Sequence, residues 1–383
     1  MVFEEPFRLF FPLAIVAGVV GTLVWPLHFA GWMTWYPGVN HARIMTQGFF
    51  GAFMVGFLGT ALPRMLSAPR LTGLEVGLLF ALHAALIVAH TFARTAIGDT
   101  LFLFLLGALV VSLGFRLLRR IDVPPPGFVL VGLALLCGAA GTVLALLQDR
   151  LEDRFFWLYL RPLLQFHGFI LFPILGVGGF ILPRFFGLNS RHDFPESRTP
   201  PPGWTREALL ALAVGVAILA SFAMEADGKP RAGSALRFLL SAGYLYWQVP
   251  FFRSKIRNSS LALALRIAFL LLPAGFLAVT LFPAYRVALL HLTLIGGFSV
   301  LTLCVATRVV FGHSGQQAAL SARLRWLTLA VVLMLVGMVT RISGDYWPKI
   351  LITHYSYGAL LWAAGLLLWA IRVLPGVCRP DAD

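Results

Sequence analysis

The residues best able to do chemistry in this chain are its nine histidines. Neutral imidazole ligates haem iron, copper and zinc. Two of the nine, His192 and His313, fall in or beside connecting loops. The other seven lie within or at the ends of long apolar segments, where a polar side chain is costly and marks a functional site by default. His28 closes the first such segment. His41, His167, His291 and His354 open the second, sixth, tenth and twelfth, and His83 and His90 lie inside the third. Successive segments run in opposite directions, so all seven gather at one depth. His83 and His90 are spaced to share one helix face, about 10.5 Å apart along the axis. Any one of these histidines alone reads as a hydrogen-bonded packing residue. Seven at one level, with no acid central in any segment to pair with, point to a metal or haem site in that layer. Asp99 is expected at an outer edge. Cys137 and Cys304 stand away from the layer in apolar runs, and with Cys378 they form no CxxC pair. There is no P-loop, Gly-x-Ser-x-Gly elbow or HExxH motif.

The elements that must position these side chains follow from composition. Hydrophobic residues make up 59% of the 383 and charged residues 12%, against about 45–50% and about 25% in soluble domains. Mean hydropathy is +0.85. A soluble enzyme, a disordered regulator and a disulfide scaffold are excluded; the chain reads as an all-α, polytopic membrane protein, one integral membrane domain over 1–383. A spanning helix needs about 20 apolar residues. Twelve windows qualify: 8–28, 43–64, 74–94, 99–118, 127–147, 160–183, 206–224, 236–252, 261–282, 287–307, 325–343 and 351–373. The eighth is the weakest, being short and carrying Tyr244, Tyr246, Trp247 and Gln248. The first lacks a small-residue cleavage site and leads into another span, so it reads as mature structure.

The net charge of +14 has no basic run interleaved with aromatics that would suggest nucleic acid. It sets orientation instead. The side holding both termini collects 19 of the 30 basic residues, including the Arg116/Arg119/Arg120 and Arg253/Lys255/Arg257 clusters. The other side is diluted by Asp149, Glu152, Asp153, Glu225 and Asp227. Both termini are therefore expected on the cytoplasmic side of a bacterial inner membrane.

The chain also repeats itself. Gly56-Phe-Leu-Gly59-Thr-Ala-Leu62-Pro63-Arg64 closes the second span and Gly176-Val-Gly-Gly179-Phe-Ile-Leu182-Pro183-Arg184 the sixth. Superposing them also aligns Gln47-Gly48-Phe49 with His167-Gly168-Phe169. His291 through Arg308 is a fainter third copy in the tenth span. The pattern reads as three four-helix units in a pseudo-threefold arrangement, with the close-spaced glycines serving tight helix packing and Arg64, Arg184 and Arg308 snorkelling to the interface.

These segments resemble a known family. His41-Ala-Arg-Ile-Met45 with Gly48-Phe49 and Gly56 through Pro63 is similar to the opening signature of NnrS proteins, and Gly178-Gly-Phe-Ile-Leu-Pro183 to their central segment. The most specific match runs from His291 through Thr307-Arg308 to Phe311-Gly-His-Ser-Gly315; Val339-Thr-Arg341-Ile and His354 to Pro375 fit the C-terminal part. The likeness spans the chain. It implies a twelve-helix haem- and copper-containing membrane protein linked to nitric oxide metabolism and resistance, with a distant architectural likeness to the catalytic subunit of haem–copper oxidases. One departure matters: where the family has His-x-His-Glu-Met, this chain has Arg43 and Ile44, so one metal site is altered. Arg43 cannot ligate a metal. It is expected at the outer interface, free to pair with an anion such as a haem propionate.

On this reading the candidate haem ligands are His41, His167, His291 and His354, and the candidate copper ligands His83, His90, His167 and His291. The partners implied are the lipid bilayer, nitric oxide or another small gas, and an electron donor of unknown kind. Two rival functions remain open, a transporter or channel and a non-redox factor delivering metal or haem. Catalysis is poorly supported: no outer histidine has a tyrosine four residues on, as oxygen reduction would ask, and the chain shows neither an acid path nor an electron-entry domain for nitric oxide reduction. His313, at the end opposite the histidine layer, is expected in a structural turn allowed by Gly312 and Gly315.

Overall fold

The computed structural model describes residues 4–152, 154–190, 197–254 and 259–381. His192, Asp153, Lys255 and Arg257 lie outside them. Twelve long helices follow one another: α1 (Phe7–Phe29), α2 (Gly38–Met65), α3 (Gly73–Thr91), α4 (Thr95–Leu118), α5 (Pro126–Arg150), α6 (Phe155–Phe186), α7 (Trp204–Ala226), α8 (Pro230–Gln248), α9 (Ser260–Leu281), α10 (Pro283–His313), α11 (Arg325–Tyr346) and α12 (Pro348–Cys378). No strand occurs among the described residues. Every helix except α8 is long and apolar enough to cross a bilayer, so the chain is a multi-pass membrane protein. In lipid a helix satisfies its own backbone, and that accounts for the all-helical fold. The exception, α8, matches the others in length but buries Ser234, Arg237, Ser241 and Gln248. Its low apolarity follows from these groups, which face neighbouring helices.

Local chemistry sets the ends. Thr72 caps α3 in a reciprocal box with Glu75. Glu75 in turn accepts from the buried Arg116 of α4 at Nη2, 2.6 Å away. Helices meet closely where glycine removes the side chain. A Cβ on Gly337 of α11 would stand 2.8 Å from the carbonyl oxygen of Gly358 in α12, and one on Gly358 would stand 2.9 Å from that of Gly337. Gly127 and Gly176 bring α5 onto α6 in the same way.

Three helices depart from regular α geometry at comparable places. A wider π turn spans Ile44–Phe50 in α2, Leu163–Gly168 in α6 and Leu292–Ser299 in α10. These are the helices that carry the sequence repeat. A π turn re-aims the side chains that follow it and is frequent at functional sites.

Two boundaries move residues of interest. Because α2 starts at Gly38 and α4 at Thr95, Arg43 and Asp99 lie inside helices, within the first two turns of each. Likewise α10 runs on through Gly312 to His313, and the left-handed turn falls on Gly315 alone, at φ +72°. Only one of the two glycines is used for a positive φ.

Candidate functional site

The inner faces of α1, α2, α6, α10, α11 and α12 enclose a cavity of about 390 Å³, lined by His41, His167 and His291. That size falls in the about 300–1,000 Å³ typical of cofactor pockets. Aromatic rings of Trp25, Tyr36, Phe50, Phe166, Tyr355 and Trp362 form much of the wall, and Arg286 and Arg341 are the cations lining it.

The imidazoles are set by backbone chemistry. Nδ1 of His41 lies 2.6 Å from the carbonyl oxygen of Gly21, and Nδ1 of His291 lies 2.8 Å from that of Val287. A carbonyl only accepts, so Nδ1–H donates in both. The neutral ring then keeps its lone pair on Nε2, the arrangement by which an outer hydrogen bond fixes the tautomer of a ligating histidine. His167 is 5% exposed, lies against the rings of Phe222 and Phe276, and has an Nδ1 buried without a hydrogen-bond partner. A buried polar atom left so costs about 1–3 kcal/mol unless a ligand engages it.

The two cations are held as firmly. Arg286 pairs at Nε with buried Glu225, 2.8 Å away, and the same carboxylate takes Arg237 at 2.7 Å. Arg341 stacks over Tyr355, 3.7 Å from its centroid, and bonds Asp345 at 3.1 Å. The Tyr355 hydroxyl donates to Asp345 as well.

The other expected ligands are elsewhere. Nδ1 of His354 is hydrogen-bonded to Ser343 Oγ at 2.7 Å, in the seam between α11 and α12, and the residue does not line the cavity. His83 donates from Nε2 to the Gly48 carbonyl at 3.0 Å, tying α3 to the π turn of α2. His90 donates from Nε2 to Gln47 Oε1 at 2.7 Å; the Gln47 amide donates to Asp99 Oδ1 at 2.8 Å. Arg43 completes that network. Its Nε and Nη2 reach Asp99 at 2.9 and 2.8 Å, and Arg43 and Asp99 are 5% and 2% exposed. Arg43 is thus a buried ion-pair partner, not an interfacial residue open to an anion, and the histidine layer does contain an acid. Helix α4 begins early enough to bring Asp99 opposite Arg43. His28 bonds the Met33 carbonyl at 3.2 Å in the turn after α1.

His313 is at the opposite end of α10, bonded to Asp381 at 2.9 Å and packed on the ring of Phe7. Among the described residues, the one group of three potential ligands with their atoms within 4.8 Å of one another is Glu5, His313 and Asp381. Its acids are already paired with Arg8, Arg64 and Arg70.

The family model for the NnrS protein matches residues 1–380. The chain belongs to the NnrS family. A search of curated proteins finds no match. Against the NnrS signature, the departure at position 43 now has a structural counterpart: the arginine turns toward α4 and Asp99 and does not line the cavity. Sequence reasoning did not single out Arg286 as a cavity residue, and met Arg341 only as part of the NnrS pattern. The available signal was an arginine at the edge of an apolar window, which needs a partner or a cavity. The cavity's aromatic residues carried no signal, because tryptophan and tyrosine are common at any membrane interface.

Proposed function

We propose that this NnrS-family protein is a haem-binding membrane protein that handles nitric oxide or a similar small gas, in nitric oxide metabolism or resistance. The observation that supports the reading is the convergence of His41, His167 and His291 on one aromatic cavity, two of them with Nε2 left free by a backbone bond through Nδ1. The three imidazoles are not within 4.8 Å of one another as a set. One small ion therefore does not suit all three, and we read the occupant as a larger group. His41, His167 and His291 would hold haem through one or two ligands, with Arg286 and Arg341 offered to its propionates. Haem iron with an open position binds diatomic gases. Around it stand the chain's aromatic rings, and the Tyr355 hydroxyl donates its proton to Asp345 beside the cavity.

His83 and His90 each donate from Nε2, so copper there would have to bind through Nδ1, which is buried without a hydrogen-bond partner in both rings; at His90 the backbone of Gly98 stands close to that nitrogen. We place the protein in the bacterial inner membrane with both termini cytoplasmic, on the basic-residue bias. A visible spectrum of the purified protein tests the reading. A Soret band with sharp reduced bands is expected, lost in His41→Ala or His291→Ala. A wild-type preparation without Soret absorption, after expression with haem in excess, returns the protein to the transporter or delivery reading.

A further inference from the structure

Beyond the histidine cavity, α2, α6 and α10, with Phe11 of α1, leave a second, partly open space further along the same helices. It measures about 100 Å³, and Phe50, Phe53, Phe57, Ile174 and Ala306 are among the residues that line it, with Thr302 supplying the one hydroxyl. Phe50 lines both this space and the histidine cavity, its ring edge-on to Phe298 at 6.2 Å. Phe57 lines both this space and a third, of about 280 Å³, at the far end beside Arg64, Arg184 and His313. Three spaces thus follow one another along the helices of the repeat, with a phenylalanine at each partition.

The lining decides the occupant. A buried water needs two to four polar partners, whereas an apolar cavity stays dry and takes up xenon or small hydrocarbons. An ion would lose its hydration there and gain nothing in return. What fits is an uncharged, apolar molecule of a few atoms. We infer that the middle cavity is a holding and transit site for a small uncharged gas, joined to the histidine cavity past the ring of Phe50. The inference rests on the haem reading only for what stands at the end of the route; the holding site needs no cofactor.

The first arm uses xenon, by pressurised crystals or xenon NMR on the full-length protein in detergent. Xenon is expected in the wild-type cavity and lost in Ala306→Phe, which fills it. Ile174→Phe fills it from α6 should the first variant fail to fold. The second arm follows carbon monoxide rebinding after flash photolysis of the haem-loaded protein. Phe50→Trp is expected to slow the bimolecular phase about tenfold, a barrier rise of about 1.4 kcal/mol, and Phe50→Ala to speed it. Wild-type protein that takes up no xenon, or shows ordered water in its place, overturns the holding site. A rebinding rate indifferent to both substitutions overturns the route. Xenon bound in a protein with no Soret band supports the holding site and sinks the haem reading, so the two failures are told apart.

Discussion

At the scale of single residues, the decisive variable is which imidazole nitrogen is already used. His41 donates from Nδ1 across to the Gly21 carbonyl of α1, and His291 donates from Nδ1 to Val287 one turn back in its own helix. His83 and His90 donate from Nε2 across to α2. The first pair presents a lone pair to an open cavity; the second fastens α3 to α2. His83→Ala is therefore expected to keep the cofactor spectrum but lower stability by about 1–3 kcal/mol, the cost of leaving a buried carbonyl without its donor, as read by thermal unfolding in detergent. His313→Ala, at the far end of α10 and bonded to Asp381, should leave the spectrum unchanged. A lost Soret band in that variant would place a ligand where the structure has none. The Arg43–Asp99 pair gives a further test. Asp99→Asn strands a buried guanidinium and should cost about 3–5 kcal/mol, while the double change Arg43→Met with Asp99→Leu should recover most of it, because replacing a buried pair with apolar groups is often neutral or stabilising. A double variant no better than the single one would show that Gln47 and His90 depend on the ions themselves. For the same reason Arg43→His should not add a ligand to the cavity; it removes a partner from Asp99.

At the scale of helices, windows of about 20 apolar residues placed all twelve, because the bilayer fixes that length regardless of sequence detail. The glycine repeat pointed to α2, α6 and α10, and those three helices carry the π turns and line every space on the axis. What stayed illegible was rotation about each helix axis. Seven histidines were expected at one depth, yet His83 packs on Phe10 near the start of α1 while His28 ends that helix; facing was not readable, and only His41, His167 and His291 turn to the cavity. A π turn inserts a residue into the turn count and so defeats periodicity arguments across it. Helix starts were the other weakness. The expected second span opened at 43, whereas the helix starts at Gly38 and buries polar Asn40 as well as Arg43. Helix packing makes its own prediction. Gly358→Val would drive a side chain into the Gly337 carbonyl and should destabilise by about 1–3 kcal/mol through overpacking. Gly107→Ala, in α4 with open space before it, should be neutral or gain about 0.5–1 kcal/mol of helix stability. Equal melting shifts for the two would mean that α11 and α12 are not in this contact.

At the scale of the whole molecule, the chain's two ends are tied together. Arg8 donates to the carbonyl of Val377 and, at 2.5 Å, to that of Arg379, and pairs with Asp381 at 2.7 Å. Asp381 also takes Arg64 and His313. Both termini therefore share one face of the membrane, the face at which the third axial space ends, and the histidine cavity stands toward the other. On the proposed reading that face is the cytoplasmic one, because the end that holds the termini carries the larger share of arginine. Cysteine makes this measurable without engineering. Cys378 is exposed at the tied end, whereas Cys137 and Cys304 are buried within α5 and α10. A membrane-impermeant maleimide should label one thiol per chain in inside-out vesicles and none in intact spheroplasts, and Cys378→Ser should abolish the signal. Labelling of intact spheroplasts would invert the orientation. The histidine cavity would then stand nearer the cytoplasm and the Phe50 partition would be approached from the opposite side, so that a gas made inside the cell would meet His41 and His291 before it met the apolar cavity.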